Sequence, residues 1–303
     1  MIRLKHGVRL SLDKDYVFDG KSVKAGEVHL ISHGHYDHIP SNFEHDKVIC
    51  SKVTKKIIEF RKRIKIRRMF KWNVKMLDAG HVLGSTMFLV DKKVLYTGDF
   101  NTVQKYCGKA EPRKCSTLII DSTFGKPKYE FPEYNDITKE IRDYVEHLLK
   151  KELKIILYAY SFGKSQELCH LLDRAGIGFS VSKRIGEAND HLGLSYRNEE
   201  LKGNVYITNY PQMLSSKEHV KIGFSGWAAE PYYERIMKID KAFVLSNHCD
   251  FPSLMEFVRK CGPDRVMTHH GFNVDLAYEI RKRLGIEAEP LLEDQKLLTN
   301  FMD

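Results

Sequence analysis

Four potential metal ligands lie within six residues of one another, directly after a short apolar run. Residues 28–32 predict a strand, and His33, His35, Asp37 and His38 follow it. Imidazole and carboxylate groups both bind zinc well. On a tight loop the first two of these side chains can face one metal ion, while the other two face a second. The motif therefore predicts a site for two metal ions at the end of a strand.

Two further candidate ligands occur later in the first half of the chain. His81 lies in the segment Ala-Gly-His-Val-Leu-Gly-Ser, and Asp99 follows the strand-like residues 94–96 in the segment Tyr-Thr-Gly-Asp. A carboxylate between two metal ions can bridge them. Either residue alone would more often be structural, but beside the first motif we interpret both as metal ligands.

The sequence pattern changes after Phe124. Before that point, short apolar runs alternate with turn signals, and the predicted strands are residues 28–32, 87–90, 94–96 and 118–120. After it, residues 136–153 have apolar residues at helical spacing, residues 154–160 predict a buried strand, and a turn leads into a helix over residues 164–174. This alternation predicts a small parallel sheet with helices, inserted into a mixed α/β fold.

Together these motifs resemble those of the metallo-β-lactamase-fold β-CASP nucleases. That family includes Artemis-type and DNA-ligase-associated exonucleases and cleavage-and-polyadenylation-type RNA nucleases. The resemblance covers most of the chain and implies an α/β fold of two domains. Residues 1–123 and 243–303 would form a metallo-β-lactamase αββα sandwich, and residues 124–242 would form an inserted β-CASP domain with a small parallel sheet and helices.

The resemblance also implies a full set of metal ligands. For two zinc ions they are His33, His35 and His81 on one ion, Asp37, His38 and His270 on the other, and Asp99 as the bridge. The last motif of the family is His-Gly, so alignment on Gly271 selects His270, and His269 stays open as the alternative. A mixed set of imidazole and carboxylate ligands can also accept manganese.

Three further side chains match catalytic motifs of the family. The resemblance implies that Asp19 orients the metal-binding loop without touching the metal ions. It also implies that His248 protonates the leaving oxygen and that Asp121 orients His248. Asp37 is predicted to be catalytic as well as a metal ligand.

The formal net charge of +9 is concentrated in one segment. Eleven Lys and Arg residues lie between Lys52 and Lys75, opposed there only by Glu59. Such a patch favours a polyanionic partner, and a solvated helix face is the alternative. The residues predicted to contact nucleic acid are Arg61, Arg63, Lys65, Arg67, Arg68 and Lys164.

Two features of the predicted insert have alternative interpretations. The turn at residues 161–165 can offer backbone N–H groups to a phosphate, or it can be an ordinary helix cap. Trp227 lies in a Ser-Gly-Trp segment that resembles the insert of several β-CASP members. It can stack on a nucleic-acid base or pack in the core of the insert.

The sequence thus predicts a metal-dependent phosphodiesterase that cleaves single-stranded nucleic acid, using a hydroxide activated by two metal ions. Asp121 and the Pro-Lys-Tyr-Glu-Phe-Pro run at residues 127–132 resemble the repair nucleases of the family, which favours a DNA-repair-type exonuclease. His270 and the segment around His81 favour an RNA-processing exonuclease or endonuclease. A small-molecule metallo-hydrolase is the remaining alternative.

Composition predicts a cytoplasmic protein that does not enter a membrane. The chain is 42% hydrophobic and 29% charged, and no run approaches the roughly 18 apolar residues of a membrane span. No apolar segment typical of a secretory signal follows Met1. The six cysteines form no Cys-x-x-Cys pair, so we expect free thiols in a reducing compartment. The predicted partner is single-stranded DNA or RNA, and protein partners stay open.

Overall fold

The computed structural model describes residues 1–21, 26–41, 48–66, 73–196, 203–215 and 217–292. The first elements are β1 (Ile2–Leu4), β2 (Val8–Ser11), β3 (Asp15–Phe18), β4 (Val28–Leu30), β5 (Val48–Ile49), α1 (Lys52–Lys62), β6 (Val74–Asp78), β7 (Thr86–Val90), β8 (Val94–Tyr96) and β9 (Thr117–Asp121). The middle elements are α2 (Tyr134–Lys150), β10 (Lys154–Tyr158), α3 (Lys164–Arg174), β11 (Ser180–Val181), α4 (Lys183–Leu192), β12 (Val205–Thr208), β13 (His219–Phe224), α5 (Tyr233–Met237) and β14 (Lys241–Phe243). The last elements are α6 (Phe251–Cys261), β15 (Arg265–His269), α7 (Asn273–Leu284) and β16 (Glu287–Pro290).

The first and last parts of the chain build two mixed sheets. One has the strand order β1-β2-β3-β4-β5, and the other has the order β16-β15-β9-β8-β7-β6. Strands β3, β4 and β5 run parallel to one another, as do β8, β9 and β15. The loops that follow these parallel strands contain most of the predicted metal ligands.

A shared apolar core holds these two sheets face to face. Phe18 of β3 stacks on Tyr96 of β8 with ring centroids 4.5 Å apart, inside a cluster to which both sheets contribute. Successive strand residues point to opposite faces. On the second sheet Ile119 therefore faces this shared core, while its neighbours face α6 and α7. The outer face of the first sheet is covered by α1 through Ile58.

The third sheet lies in the middle part of the chain and is parallel throughout. Its strand order is β11-β12-β10-β13-β14. Helix α2 covers it with buried residues at positions 137, 141, 145 and 148, one turn apart along a single face. This sheet and its helices form a separate apolar core, whose buried members lie between Ile137 and Leu245.

The predicted mixed α/β class is confirmed, and the predicted elements occur with shifted ends. Helix α2 ends at Lys150 because Glu152 has a φ of 56°, and this left-handed residue turns the chain into β10. Strand β10 ends at Tyr158, after which the chain leaves the sheet toward the predicted metal ligands. Among the described residues we find no helix with the length and apolar character that crossing a membrane requires.

Glycine allows the loops after β4 and β8 to approach each other closely. Gly98 has a φ of +53°, and a Cβ atom at this position would lie 2.6 Å from Cβ of Ser32. Any other residue would therefore push apart the segments that contain His33 and Asp99. The Tyr-Thr-Gly-Asp segment requires its glycine at this point.

Candidate metal centre

Asp99 lies at the centre of the predicted ligands. Its Oδ2 atom is 3.6 Å from Nε2 of His33, of His38 and of His81, and the residue is only 7% exposed. His33, His35, His81 and Asp99 each direct one possible ligand atom into a space where all four atoms lie within 4.8 Å of one another. The structure therefore brings these four predicted ligands together.

Hydrogen bonds determine which nitrogen atoms of His33 and His81 can bind a metal. Ser32 Oγ donates its single proton to Asp19 Oδ2 at 2.7 Å, so it must accept the Nδ1–H of His33 at 2.9 Å. His81 Nδ1 lies 3.0 Å from the carbonyl oxygen of Asn247, which only accepts. In both rings Nε2, which faces Asp99, is left unprotonated. Burial and neighbouring histidines lower the pKa of both rings well below its usual value, which keeps them neutral.

The other two histidines of the loop are oriented in the same way. His35 Nε2 donates to the main-chain carbonyl of Phe162 at 3.1 Å, and His38 Nδ1 donates to Asp19 Oδ2 at 2.9 Å. His35 Nδ1 is therefore free, and it lies 2.9 Å from His33 Nε2. Burial lowers the pKa of His35 to about 3. Burial also opposes a charge on His38, but Asp99 and Asp19 outweigh it and raise its pKa.

This donor arrangement fits a divalent cation. Unprotonated nitrogens at such short separations direct their lone pairs at one another, with no proton between them. A bound cation would remove that repulsion, and the carboxylates that raise the pKa of His38 would also favour it. Three imidazoles and one carboxylate match the ligand preference of zinc. The cluster can therefore hold a metal ion.

The remaining predicted ligands lie beside this cluster. Asp37 Oδ2 is 3.5 Å from His38 Nε2, and its side chain is 66% exposed. The ring of His270 is 6.2 Å from that of His38 and faces the same cavity as Asp99. His269 is mostly buried, and burial lowers its pKa to about 4. Within the described part of the chain, the groups of three or more donors that lie within 4.8 Å of one another do not include Asp37, His38 or His270.

Asp19 is the hydrogen-bond acceptor behind the loop. Its Oδ1 accepts the main-chain N–H of Ser32 at 2.7 Å, and its Oδ2 accepts from Ser32 Oγ, from His38 Nδ1 and from Tyr96 Oη at 2.7, 2.9 and 2.8 Å. Asp19 therefore orients one histidine directly and a second, His33, through the serine hydroxyl.

His248 and Asp121 form a pair on the other side of Asp99. His248 Nδ1 lies 2.9 Å from Asp121 Oδ2, and its Nε2 lies 3.9 Å from Asp99 Oδ2. Thr123 holds Asp121 Oδ1 through its N–H at 3.0 Å and its hydroxyl at 2.7 Å. Burial disfavours charge on both partners, yet Asp99 and Asp121 raise the pKa of His248, and His248 lowers that of Asp121. A protonated imidazole beside the metal cluster can donate a proton there.

Comparison with known proteins places these features in a family. The chain is 31% identical to a probable DNA ligase of Opitutus terrae over 303 aligned residues, which include 88% of this chain and 29% of that protein. It is 26% identical to the DNA cross-link repair protein pso2/snm1 of Schizosaccharomyces pombe over 185 residues, 52% of this chain and 32% of that protein. It is 37% identical to the endoribonuclease YSH1 of Mycosarcoma maydis over 101 residues, 31% of this chain and 11% of that protein. The chain belongs to the β-CASP family of metallo-β-lactamase-fold proteins.

These relatives are much longer than this chain. It spans about a third or less of the length of the curated β-CASP relatives it matches. No family model matches the chain. Membership in the β-CASP family therefore rests on individual relatives, of which the probable DNA ligase matches 88% of this chain.

The candidate metal site of this β-CASP protein opens into a cavity of about 1000 Å³. Aromatic rings form part of its wall: Phe124 lies 6.0 Å from His248 and 4.8 Å from Trp227, measured between ring centroids. Trp227 is 38% exposed and lines the cavity, so it does not pack in a domain core. The alternative of a core tryptophan is therefore wrong.

The predicted basic contacts occupy different environments. Arg61 lines the cavity, with its guanidinium 4.4 Å from the ring centre of Tyr36 and with Nη1 donating to the Gly34 carbonyl at 2.7 Å. Burial lowers its pKa to about 10, so it stays charged at neutral pH. Arg63 and Lys65 are exposed just beyond α1. The predictions for residues 67 and 68 lie outside the described residues.

Lys164 is buried rather than presented to solvent. It is 6% exposed, and its Nζ lies 2.6 Å from Glu167 Oε2. Burial lowers its pKa to about 8. It lines the cavity at the start of α3, but a carboxylate already neutralises its charge there.

The sequence analysis missed three polar residues near the site. Arg184 of α4 donates to Tyr36 Oη at 2.6 Å and so links the two walls of the cavity. Asn247 donates its side-chain amide to the His81 carbonyl at 2.8 Å. Lys105 is buried behind the loop that contains His248. Only Asn247 has a signal in the sequence, its position directly before His248.

Proposed function

We propose that this β-CASP protein is a metal-dependent phosphodiesterase that cleaves single-stranded nucleic acid, acting as a DNA-repair-type exonuclease. The observation that carries this proposal is the group of unprotonated histidine nitrogens around Asp99, next to the His248–Asp121 pair. A metal site alone would suit many hydrolases. The paired histidine supplies the proton donor that an alkoxide leaving group needs.

The proposed domain organisation follows the observed cores. Residues 1–123 and 243–303 would form the metallo-β-lactamase αββα sandwich, because two sheets share one core and helices cover their outer faces. Residues 124–242 would form the inserted β-CASP domain, which is supported by the separate core of the parallel sheet, although that core extends past this boundary to Phe243 and Leu245. The cavity would then lie between the domains, with Tyr36 and Arg184 on opposite walls.

The proposed metal ions are two zinc ions, with manganese as the alternative. The proposed ligands are His33, His35 and His81 for one ion, Asp37, His38 and His270 for the other, and Asp99 between them. When bound, the ions would supply Lewis acidity and would lower the pKa of a bound water molecule to a value near neutral. Asp19 would orient His38 directly and His33 through Ser32, so that the Nε2 atoms of both rings face the ions.

His248 would act as the general acid. Asp99 and Asp121 raise the pKa of His248, which favours the protonated ring; its Nδ1–H donates a hydrogen bond to Asp121 Oδ2, and its Nε2 faces the cavity. The Nε2 proton would pass to the 3′ oxygen of the departing nucleotide. Asp121 would keep the ring in this orientation and stabilise its positive charge.

The relatives favour DNA over RNA as the substrate. Of the three relatives described above, the probable DNA ligase and the DNA cross-link repair protein each match at least half of this chain, whereas the endoribonuclease matches about a third of it. Arg61 and exposed aromatic rings in the cavity suit an unpaired strand, since a phosphate needs a cation and an unstacked base needs a ring. An RNA-processing nuclease is the second candidate, because that shorter match has the higher identity of 37%.

The test is degradation of matched single-stranded DNA and RNA, each labelled at one end, with zinc or manganese present. We expect wild-type protein to shorten the DNA stepwise from one end. His248→Ala should lower the turnover rate by about 10²–10⁴-fold and leave the bound metal unchanged. His147→Ala, on the exposed face of α2, is the matched control and should behave as wild type.

Three outcomes would contradict parts of the proposal. Faster cleavage of RNA would assign the protein to the second candidate. Equal loss of metal and activity in His248→Ala would show that His248 is a metal ligand rather than the acid. Failure of the metal-loaded wild type to cleave either substrate would overturn the nuclease function.

A further inference from the structure

Lys105 is a buried charge that none of the predicted chemistry uses. It lies between β8 and β9, and its side chain is only 2% exposed. Its Nζ lies 3.5 Å from Glu167 Oε1 on α3 and donates to the main-chain carbonyl of Ser246. One ammonium group therefore connects three segments that are distant in sequence. Burying a charge costs free energy, so such a contact persists only where its partners compensate it.

The Ser246 contact places Lys105 directly behind His248. Ser246 Oγ accepts the N–H of His248 at 3.0 Å and lies 3.0 Å from the His248 carbonyl oxygen. Asn101 donates to that same carbonyl at 2.9 Å. Ser246 and Asn101 thus hold the backbone of His248, and Lys105 in turn holds Ser246.

The Glu167 contact connects this loop to the metal cluster through α3. Glu167 Oε2 is bound by Lys164 at the start of the helix, and Gly163, one residue earlier, accepts from Tyr106 Oη at 3.0 Å. The residue before that, Phe162, accepts the Nε2–H of His35. The same end of α3 therefore contacts a predicted metal ligand on one side and the His248 loop, through Lys105, on the other.

We propose that Lys105 is a positioning residue that fixes the orientation of His248 by tying its loop to α3. The inference rests on the proposed role of His248 as the general acid. Lys105 does not reach the reacting atoms, because the Ser246 carbonyl and the His248 backbone lie between them. Its effect is to restrict where His248 Nε2 points when the leaving oxygen takes its proton.

Lys105 can be removed without stranding a buried charge. Without its ammonium group, Glu167 and Lys164 still form a neutral pair at 2.6 Å. Removal of Glu167 would instead leave two buried ammonium groups without their carboxylate, which should strongly destabilise the protein. Lys105→Met is therefore the informative variant, and Lys105→Gln retains an N–H donor for the Ser246 carbonyl. Lys109→Met is the matched control, because Lys109 lies in the same loop with a side chain that is 44% exposed.

The test compares two substrates that differ in their need for a proton. A deoxyribonucleotide strand leaves with an alkoxide, which needs a general acid, whereas bis(p-nitrophenyl) phosphate releases a stable phenolate, which does not. We expect Lys105→Met to lower kcat on the strand by about a hundredfold, with KM and metal content unchanged. Hydrolysis of bis(p-nitrophenyl) phosphate should stay at the wild-type rate. Lys105→Gln should recover part of the loss, and Lys109→Met should behave as wild type.

Amide hydrogen exchange gives a readout that does not need activity. We expect Lys105→Met to increase exchange in residues 246–249, with no change in β9 or in the His33 loop. Equal slowing of both substrates, or loss of metal, would make Lys105 a general structural residue and overturn the proposal. Unchanged exchange and unchanged kcat would overturn it as well. A wild type that cleaves neither substrate would refute the nuclease function, and the exchange result would still decide whether Lys105 orders the loop.

Discussion

Hydrogen-bond acceptors orient individual side chains at this site and determine which of their atoms carries a proton. Asp19 shows the effect best, because its two carboxylate oxygens accept four hydrogen bonds from three residues. All of these partners are donors, so the side chain of residue 19 must accept hydrogen bonds at both of its terminal atoms. An amide cannot do so, since one of its two terminal atoms carries protons.

Asp19→Asn should therefore weaken metal binding. Whichever way the amide is turned, its NH₂ group meets at least one N–H or O–H donor. With the NH₂ group at the Oδ2 position, His38 and the Ser32 hydroxyl that orients His33 lose their acceptor, and with it at the Oδ1 position the main-chain N–H of Ser32 does. We expect metal affinity to fall by about 10–100-fold, measured by competition with a chelator. Asp15→Asn is the control, because Asp15 is exposed and accepts from Ser11 Oγ at the protein surface. Equal affinities for the two variants would contradict the role of Asp19.

Trp227 should contribute to substrate binding through its exposed ring. Stacking of one base on an aromatic side chain contributes about 1–3 kcal/mol, so Trp227→Ala should raise the dissociation constant for single-stranded DNA by roughly 10–100-fold. Trp227→Phe should retain most of the affinity. Tyr232→Ala, which removes an aromatic ring that is 61% exposed outside the cavity, should have no effect. A titration monitored by fluorescence anisotropy measures all three, and normal affinity of Trp227→Ala would exclude stacking.

At the scale of elements, the ends of the parallel strands meet because glycines remove side chains between them. The loop after β15 approaches the loop after β9 at Gly271, which has a φ of +51°. A Cβ atom there would lie 2.4 Å from Thr123 Cα and 2.6 Å from the Ser122 carbonyl oxygen. Both contacts are backbone, so the two loops can make no room without separating His270 from Asp121.

Gly271→Ala should accordingly destabilise the protein more than conformational strain alone explains. Gly285, which ends α7, has a similar φ of +66° but no atom within 4 Å of its Cβ position. Gly285→Ala should lower the free energy of unfolding by about 1 kcal/mol, the cost of a left-handed alanine. Gly271→Ala should lower it by about 1–3 kcal/mol more, because overpacking is added. Denaturant unfolding of both variants measures the difference, and similar losses would contradict the close approach.

The described residues combine a buried cluster of possible metal ligands with exposed basic side chains just beyond α1. The exposed side chains of Arg63 and Lys65 continue the charge that Arg61 places in the cavity. A chain of phosphates bound along this surface would release counterions. Affinity for single-stranded DNA should then fall steeply as salt is added.

Lys65→Gln should reduce this salt dependence. If Lys65 contacts a phosphate, the slope of log K against log salt should decrease in magnitude by about 1, with uniform weakening across sequences. Lys139→Gln, on the exposed face of α2, should leave the slope unchanged. A slope that is the same in all three proteins would show that the basic segment is a solvated surface.

The sequence could predict the elements and candidate ligands that depend on local patterns. The apolar residues of α2 recur at helical spacing, and the ligands at residues 33–38 lie on one short loop, so neighbours in sequence are neighbours in space. Local pattern does not determine where Trp227 points. It lies in a short 3-10 helix (Gly226–Ala229) and packs beside Phe124, a residue 103 positions earlier in the chain, at the wall of the cavity.

The sequence by itself determined the α/β class, the family and the residue types that can hold metal ions, because these follow from motifs read over a few residues. Only the tertiary structure decided which atom of each histidine is available. His81 is oriented by an acceptor 166 residues away, and His35 and His248 by acceptors 127 residues away. The contact of Lys105 with Glu167 is of the same kind. A protonation state depends on the partner across a hydrogen bond, and folding alone brings these partners together.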